Sequence, residues 1–236
     1  MPVHKNGASR LGSRGQPERT RRAILDAALR EFGEKGMAGA RTDAIARSAG
    51  VNKALLYYYF SDKEALYGSV LEHAFQALSR QLIGVLESDL PCREKVLAYA
   101  GAHFDWLARS PLLPQLVHRE MMQAARPGSP QVRRIAVQHL RPIFRRLAAM
   151  VREGVESGEF RQVDAMQFVI SMAGIIVHYF TSAPIAEFIT GEDPFTRARL
   201  RARRGAVLEV IAAALFAPRG ARQRRGARPG KKEEAH

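Results

Sequence analysis

Apolar side chains recur every three or four positions along most of the chain, and no run alternates strictly between apolar and polar; the pattern predicts helices and no sheet. The clearest case follows Ser61, where Leu66, Val70, Leu71, Phe75, Leu78 and Leu82 share one side of a helix. A stripe of this kind becomes stable by packing against other helices. Cap chemistry sets the boundaries. Pro17 suits a first helical position, and Ile24, Leu25, Ala28, Leu29 and Phe32 form the stripe that follows, which Gly36 ends. Thr42 and Asn52 are expected to cap two short helices, and Ser61 with Glu64 forms a capping box for the next. Ser110–Pro111, Ser129–Pro130 and Asp193–Pro194 each read as a cap followed by proline, and Asp164 with Gln167 as another capping box. The expected fold is all-α with about nine helices. A small head at 17–61 precedes a larger helical body at 62–217, with basic tails at 1–16 and 218–236.

Charge is concentrated at the ends. Of a net +14, Lys5, Arg10 and Arg14 contribute three, and seven Lys or Arg against two Glu from Arg219 onward contribute five. These Gly-, Arg- and Pro-rich ends are predicted to be disordered, which leaves about six charges on the body. With 46% apolar residues the chain can build a sizeable core. Cys92 is the only cysteine, so an internal disulfide is excluded and a reducing, cytoplasmic setting is expected. Residues 165–186 carry no Asp, Glu, Lys or Arg, but Gln167, Ser171, His178, Thr181, Ser182 and Pro184 interrupt them. They read as a buried or dimer-forming helix, and no membrane partner is expected.

Between Thr42 and Phe60 the pattern is helix, tight turn at Gly50, helix. Ile45, Ala46 and Ala49 point to the same small core as Val51, Leu56 and Phe60, the spacing of a helix-turn-helix. The second helix carries Tyr57, Tyr58 and Tyr59, which fan over about 200°. Leu56 and Phe60 mark the buried side, so Ala54 and Tyr58 lie opposite and the other two tyrosines on the flanks. Duplex DNA supplies a partner for that surface. Tyrosine hydroxyls bond phosphates, their rings pack on sugars and thymine methyls, and Asn52 at the helix start leaves amides open to a phosphate.

The stretch "RTDAIARSAGVNKALLYYYFSDKEALY" resembles the tetracycline-repressor (TetR) family of bacterial transcription regulators, with Thr, Ile-Ala, Ala-Gly-Val, Leu-Tyr, Phe and Lys-Glu-x-Leu at the family's spacing. The resemblance covers Gln16 to about Phe75. It implies that Thr42 and Lys63 anchor phosphates, that Lys53, Ala54, Leu55, Tyr57 and Tyr58 lie in or beside the major groove, and that Tyr59 faces the backbone. Leu55 departs from the small hydroxyl residue often found there and can read only a methyl or pack. The resemblance also implies a homodimer built on the last two helices, here Asp164 to about Phe188 and Pro194 to Phe216. Val207, Leu208, Ile211 and Leu215 of the second are the expected dimer stripe. A twofold dimer would bind a palindromic operator and block transcription until a ligand in the body moved the Ser61 helix.

For that ligand the candidate residues are Tyr99, His103, Trp106, His118, Met121, Met122, Phe144, Phe168, Met172 and His178. They are aromatic or polarizable, which favours a flat or apolar small molecule, although such residues also serve as plain core. A body that docks a protein in place of a small effector remains the alternative. Enzyme motifs are missing: His118-Arg119-Glu120 runs into methionines rather than a second histidine, no Gly-x-Ser-x-Gly occurs, and "GARPGKK" lacks the length and hydroxyl of a phosphate loop. No catalytic residue, metal site or cofactor is predicted.

Overall fold

The computed structural model describes residues 17–123 and 130–217. Both predicted tails and Ser129 lie outside the described residues. The elements are α1 (Pro17–Gly39), α2 (Thr42–Ser48), α3 (Lys53–Tyr59), α4 (Lys63–Leu86), α5 (Cys92–Arg109), α6 (Leu112–Gln123), α7 (Pro130–Ile135), α8 (Arg141–Glu156), α9 (Ala165–Thr181), α10 (Ala183–Thr190) and α11 (Arg197–Leu215). A π turn, Ala136–Leu140, runs α7 into α8, so among the described residues ten helical rods stand against the roughly nine expected. Among the described residues there is no strand, only one isolated bridge between Phe160 and Phe216.

Contacts gather the described residues into two compact units, residues 17–80 with 109–123 and 130–140, and residues 81–108 with 141–217. The boundary between these units falls inside α4. In the first unit α1 buries Ile24, Leu25, Ala28 and Phe32, with Leu29 half-buried beside them. The Phe32 ring meets Tyr67 of α4 edge-on at 5.1 Å. Gly33 lets α6 approach closely, since a methyl there would lie 2.8 Å from the Leu112 Cβ. The break expected at Gly36 is present: its φ of 69° and ψ of 175° interrupt the helix, which resumes for one turn. All six residues of the α4 stripe are buried. His139 on the π turn pairs with Glu72 of α4 at 2.7 Å.

The second unit buries Val96, Phe104 and Leu107 of α5, Ile143, Leu147 and Val151 of α8, Val169, Ile176 and Phe180 of α9, and Val207, Ile211 and Leu215 of α11. The end of α11 is fastened by Arg93, which donates to the carbonyls of Glu159 and Ala217 at 2.9 and 2.8 Å and lies over the Phe216 ring.

Several caps differ from expectation. Thr42 is already inside α2, preceded by an extended Arg41 with no side-chain cap. Asp62, not Ser61 with Glu64, caps α4: its carboxylate accepts the Ala65 N–H at 2.7 Å, and the Ser61 hydroxyl bonds that same carboxylate. An anion suits the positive helix end better than a hydroxyl, and the backbone bond holds the Asp62 carboxyl below its ordinary range. Pro111 lies in a turn one residue before α6. Pro194 also precedes its helix; Asp193 bonds the Phe195 N–H, and Thr196 caps α11 by accepting from the Arg199 N–H. Asn52 and Asp164 cap as expected, accepting from the N–H groups of Leu55 and Gln167. The helix expected to run from Asp164 to about Phe188 is broken at Ser182, where α10 departs from α9 at 68°. Pro184 supplies no N–H to a continuing helix, and the Ser182 hydroxyl takes the His178 carbonyl. Among the described residues no single helix is long and apolar enough to cross a membrane, and the α9–α10 pair meets that test only jointly and bent.

Candidate nucleic-acid interface

Two seven-residue helices cannot stand alone, so α2 and α3 depend on the wedge they share. Ile45, Ala46, Leu56 and Phe60 supply it, with Ile45 and Leu56 fully excluded from solvent. The turn between them needs a positive φ at Gly50, 69°, and the amides of Ala49, Gly50 and Val51 close back on the carbonyls of Ile45, Arg47 and Ala46. Asn52 then opens α3 with a 2.7 Å bond to the Leu55 N–H, which fixes the direction in which α3 emerges.

The face turned outward is the one the sequence indicated. Lys53 and Ala54 are exposed, Tyr57 is 40% and Tyr58 81% exposed, and Leu55 and Tyr59 are half-covered. The Tyr58 and Tyr59 rings meet edge-on at 5.5 Å, so they hold each other upright. The Tyr57 hydroxyl lies 3.3 Å from that of Thr42, which braces α3 against α2. The Lys63 ammonium sits 3.4 Å from the carbonyls of Ala38 and Ala40, at the end of α1. A lysine has three donors. Its position on α4 is thus tied to α1.

Asp43 was not singled out in the sequence, and it alters the electrostatics of this face. Its carboxylate pairs with Lys53 at 2.9 Å, both about half exposed. The hydrogen bond from Lys53 lowers the Asp43 pKa, with Lys53's charge and those of Arg41 and Arg47 adding to it. The same bond raises Lys53. Arg41 and Arg47 are exposed cations around this carboxylate, and both were legible only as charges flanking a short helix. The surface can therefore present hydroxyls, aromatic edges and several cations to a polyanion, with one internal carboxylate competing for Lys53.

The residues considered for a ligand do not all meet. On α5, Tyr99, His103 and Trp106 are buried on neighbouring turns, with the Tyr99 and His103 rings 6.1 Å apart. His103 Nδ1 has no hydrogen-bond partner, and burial pushes the imidazole pKa down to about 4, so it is neutral at pH 7. Burial likewise raises the Tyr99 phenol. Phe168 and Met172 line a groove between α9 and α11, and Phe144 is half-buried on α8. His178 is exposed, and His118 and Met122 are exposed on α6 in the other unit; the side chain of Met121 lies outside the described residues.

The expected dimer stripe is turned into the chain's own core. Val207, Ile211 and Leu215 are at most 1% exposed within the single chain and Leu208 is half-covered, so a partner could gain little area from them. The outward face of α11 carries Ala206, Val210, Ala213 and Ala214, and that of α9 carries Gln167, Ile170, Ser171 and Gly174.

Residues 24–70 match the family described as bacterial regulatory proteins, tetR family, and residues 93–211 match the tetracyclin repressor-like C-terminal domain. The HTH-type transcriptional regulator RutR of Escherichia coli is 30% identical over 178 residues, 72% of this chain and 78% of RutR. The HTH-type transcriptional repressor NicS of Pseudomonas putida is 31% identical over 177 residues, 71% and 78% of the two chains. Among solved structures, FadR from Bacillus subtilis in complex with stearoyl-CoA superimposes with a TM-score of 0.64 at 23% identity, covering 82% of this chain and 98% of that one, and so shares the fold.

Proposed function

The chain belongs to the TetR family of bacterial regulatory proteins and is a helix-turn-helix transcriptional regulator; on that premise we propose that it is a homodimeric repressor of a palindromic operator, released by a small apolar or aromatic ligand. The observation that carries the reading is the outer face of α3, where Tyr57 and Tyr58 stay exposed on a helix held rigidly by Leu56, Gly50 and Asn52. In this reading Thr42, Asn52 and Lys63 hold phosphates, Lys53, Ala54, Leu55, Tyr57 and Tyr58 enter or border the major groove, and Tyr59 rests toward the backbone. Lys53 exchanges Asp43 for DNA. Repression is supported by the likeness to NicS, named a repressor.

Dimerisation is assigned to the outward faces of α9 and α11, whose Gly174, Ala206, Ala213 and Ala214 allow close helix approach beside Ile170 and Val210. The ligand is assigned to the second unit, beside Tyr99, His103 and Trp106. An unpartnered, neutral imidazole nitrogen in an apolar setting suits a mostly apolar molecule with one hydrogen-bonding group. Its binding is transmitted by α4, which belongs to both units, with a coupling of about 1–3 kcal/mol that acts reciprocally on ligand and DNA.

Selecting DNA fragments on the purified protein tests the reading. An inverted repeat with half-sites one or more helical turns apart is expected. A monomer with no sequence preference in moderate salt overturns it.

A further inference from the structure

Three features are strung along α9. From its start to just past its middle, a groove of about 410 Å³ is walled by Val163, Phe168, Met172, Ile175, Val210 and Ile211. Near its middle, Gly174 is exposed, and a methyl placed on it meets nothing within 4 Å. Just past its end, α10 bends away and leaves Ile185, Phe188 and Ile189 61%, 87% and 79% exposed. Spaced at i, i+3 and i+4, these three make one ridge. A contiguous apolar ridge of this size on a surface marks a contact site.

We propose that the α10 ridge of one copy docks in the α9–α11 groove of a second copy, so that the homodimer is clasped at two equivalent places. This rests on the homodimer reading above and adds to it the element that closes the contact. Twofold symmetry supplies the reason. If the axis passes near Gly174, the two α9 helices run antiparallel, and each residue faces the one equally far on the other side of the axis. Thr181 then lies beside the partner's Gln167, and the chain continuing into α10 arrives at the partner's groove. The ridge does not fill its own groove: Ile185, Phe188 and Ile189 stay exposed and none of them lines it, and the last six residues of α9, roughly 9 Å of helix, separate Ile175 from the bend into α10.

Area points the same way. A stable interface covers on the order of 800 Å² on each partner. The small side chains of the α9 and α11 faces allow approach but offer little surface, whereas one aromatic ring brings about 150–250 Å².

The test uses the full chain. In sedimentation equilibrium, Phe188→Ala is expected to raise the dimer dissociation constant at least about tenfold, since an anchor is lost at both symmetric contacts. Phe188 is nearly bare in the single chain, so circular dichroism of the variant should match the wild type. In a Cys92→Ser background, chains carrying Phe188→Cys are mixed with chains carrying Gln167→Cys, and oxidation is expected to give a disulfide-linked pair in the mixture alone. An unchanged dissociation constant, or a mixture that gives no such pair, overturns the clasp and leaves a dimer otherwise held. A wild-type chain that sediments as a monomer overturns the homodimer reading as well. Binding of the wild type but not Phe188→Ala to phosphatidylcholine vesicles, with no cross-linked pair, overturns the clasp in favour of a lipid surface.

Discussion

Tyr57→Phe separates the contact the structure shows for one oxygen from the DNA contact proposed for it. The substitution keeps the ring, which is 40% exposed, and removes only the hydroxyl 3.3 Å from Thr42. That bond is long and partly solvated, so its loss from the free protein should fall below the ~1 kcal/mol typical of a hydrogen bond and leave the unfolding midpoint nearly unchanged. On DNA the same hydroxyl is proposed to bond in or beside the major groove. Losing one such bond costs about 1 kcal/mol net, and a symmetric dimer loses two; the total of about 2 kcal/mol corresponds to about thirtyfold weaker binding. Fluorescence anisotropy titration on a selected operator, repeated over a salt series, measures both affinity and slope. Tyr57→Phe displaces no counterion and should leave the slope alone, whereas Lys63→Ala should flatten it by about 0.9 per copy. A dissociation constant within twofold of wild type would show that the hydroxyl serves only to brace α3 against α2.

Three other outcomes are expected. Leu56→Ala opens a cavity in the wedge between α2 and α3, where the side chain is fully excluded from solvent, and should destabilise the protein by about 2–5 kcal/mol in urea unfolding. His103 is held near pKa 4 by burial against 6.5 when unfolded, so the unfolded state binds more protons between those values and stability falls as pH drops through that window; between pH 7 and pH 5 the wild type should lose about 2 kcal/mol that His103→Leu does not. Unfolding midpoints at the two pH values measure it, and equal losses in both proteins would remove His103 as the cause. Deleting residues 218–236, a segment with a net five positive charges, should flatten the salt dependence of operator binding while leaving the selected sequence unchanged; a changed sequence preference would show that these residues take part in reading the bases.

The head was legible because its determinants are local. Gly50, Asn52 and the Leu56/Phe60 pair each act within about one turn of chain, and each is placed as the sequence predicts. Caps were legible only as candidates: Ser61 and Asp62 both offer an oxygen to the start of α4, and which one reaches the Ala65 N–H depends on the entering backbone, not on residue type. The break at Ser182 was written at Pro184, but residues 165–186 hold no charge to mark a change of surroundings. The dimer stripe is ambiguous for a different reason. Spacing of Val207, Ile211 and Leu215 shows that one side of α11 is covered, and a helix covered by its own chain has the same period as one covered by a twin. What distinguishes the two is the remainder left after the chain has folded. On α9, α10 and α11 that remainder is a glycine and alanines flanked by Ile170, Val210 and the Phe188 ridge, a set with no single period because it draws on three helices. A surface assembled from three helices becomes visible only once the fold has brought them together, so the helix proposed to read DNA could be found in the string and the face proposed for the dimer could not.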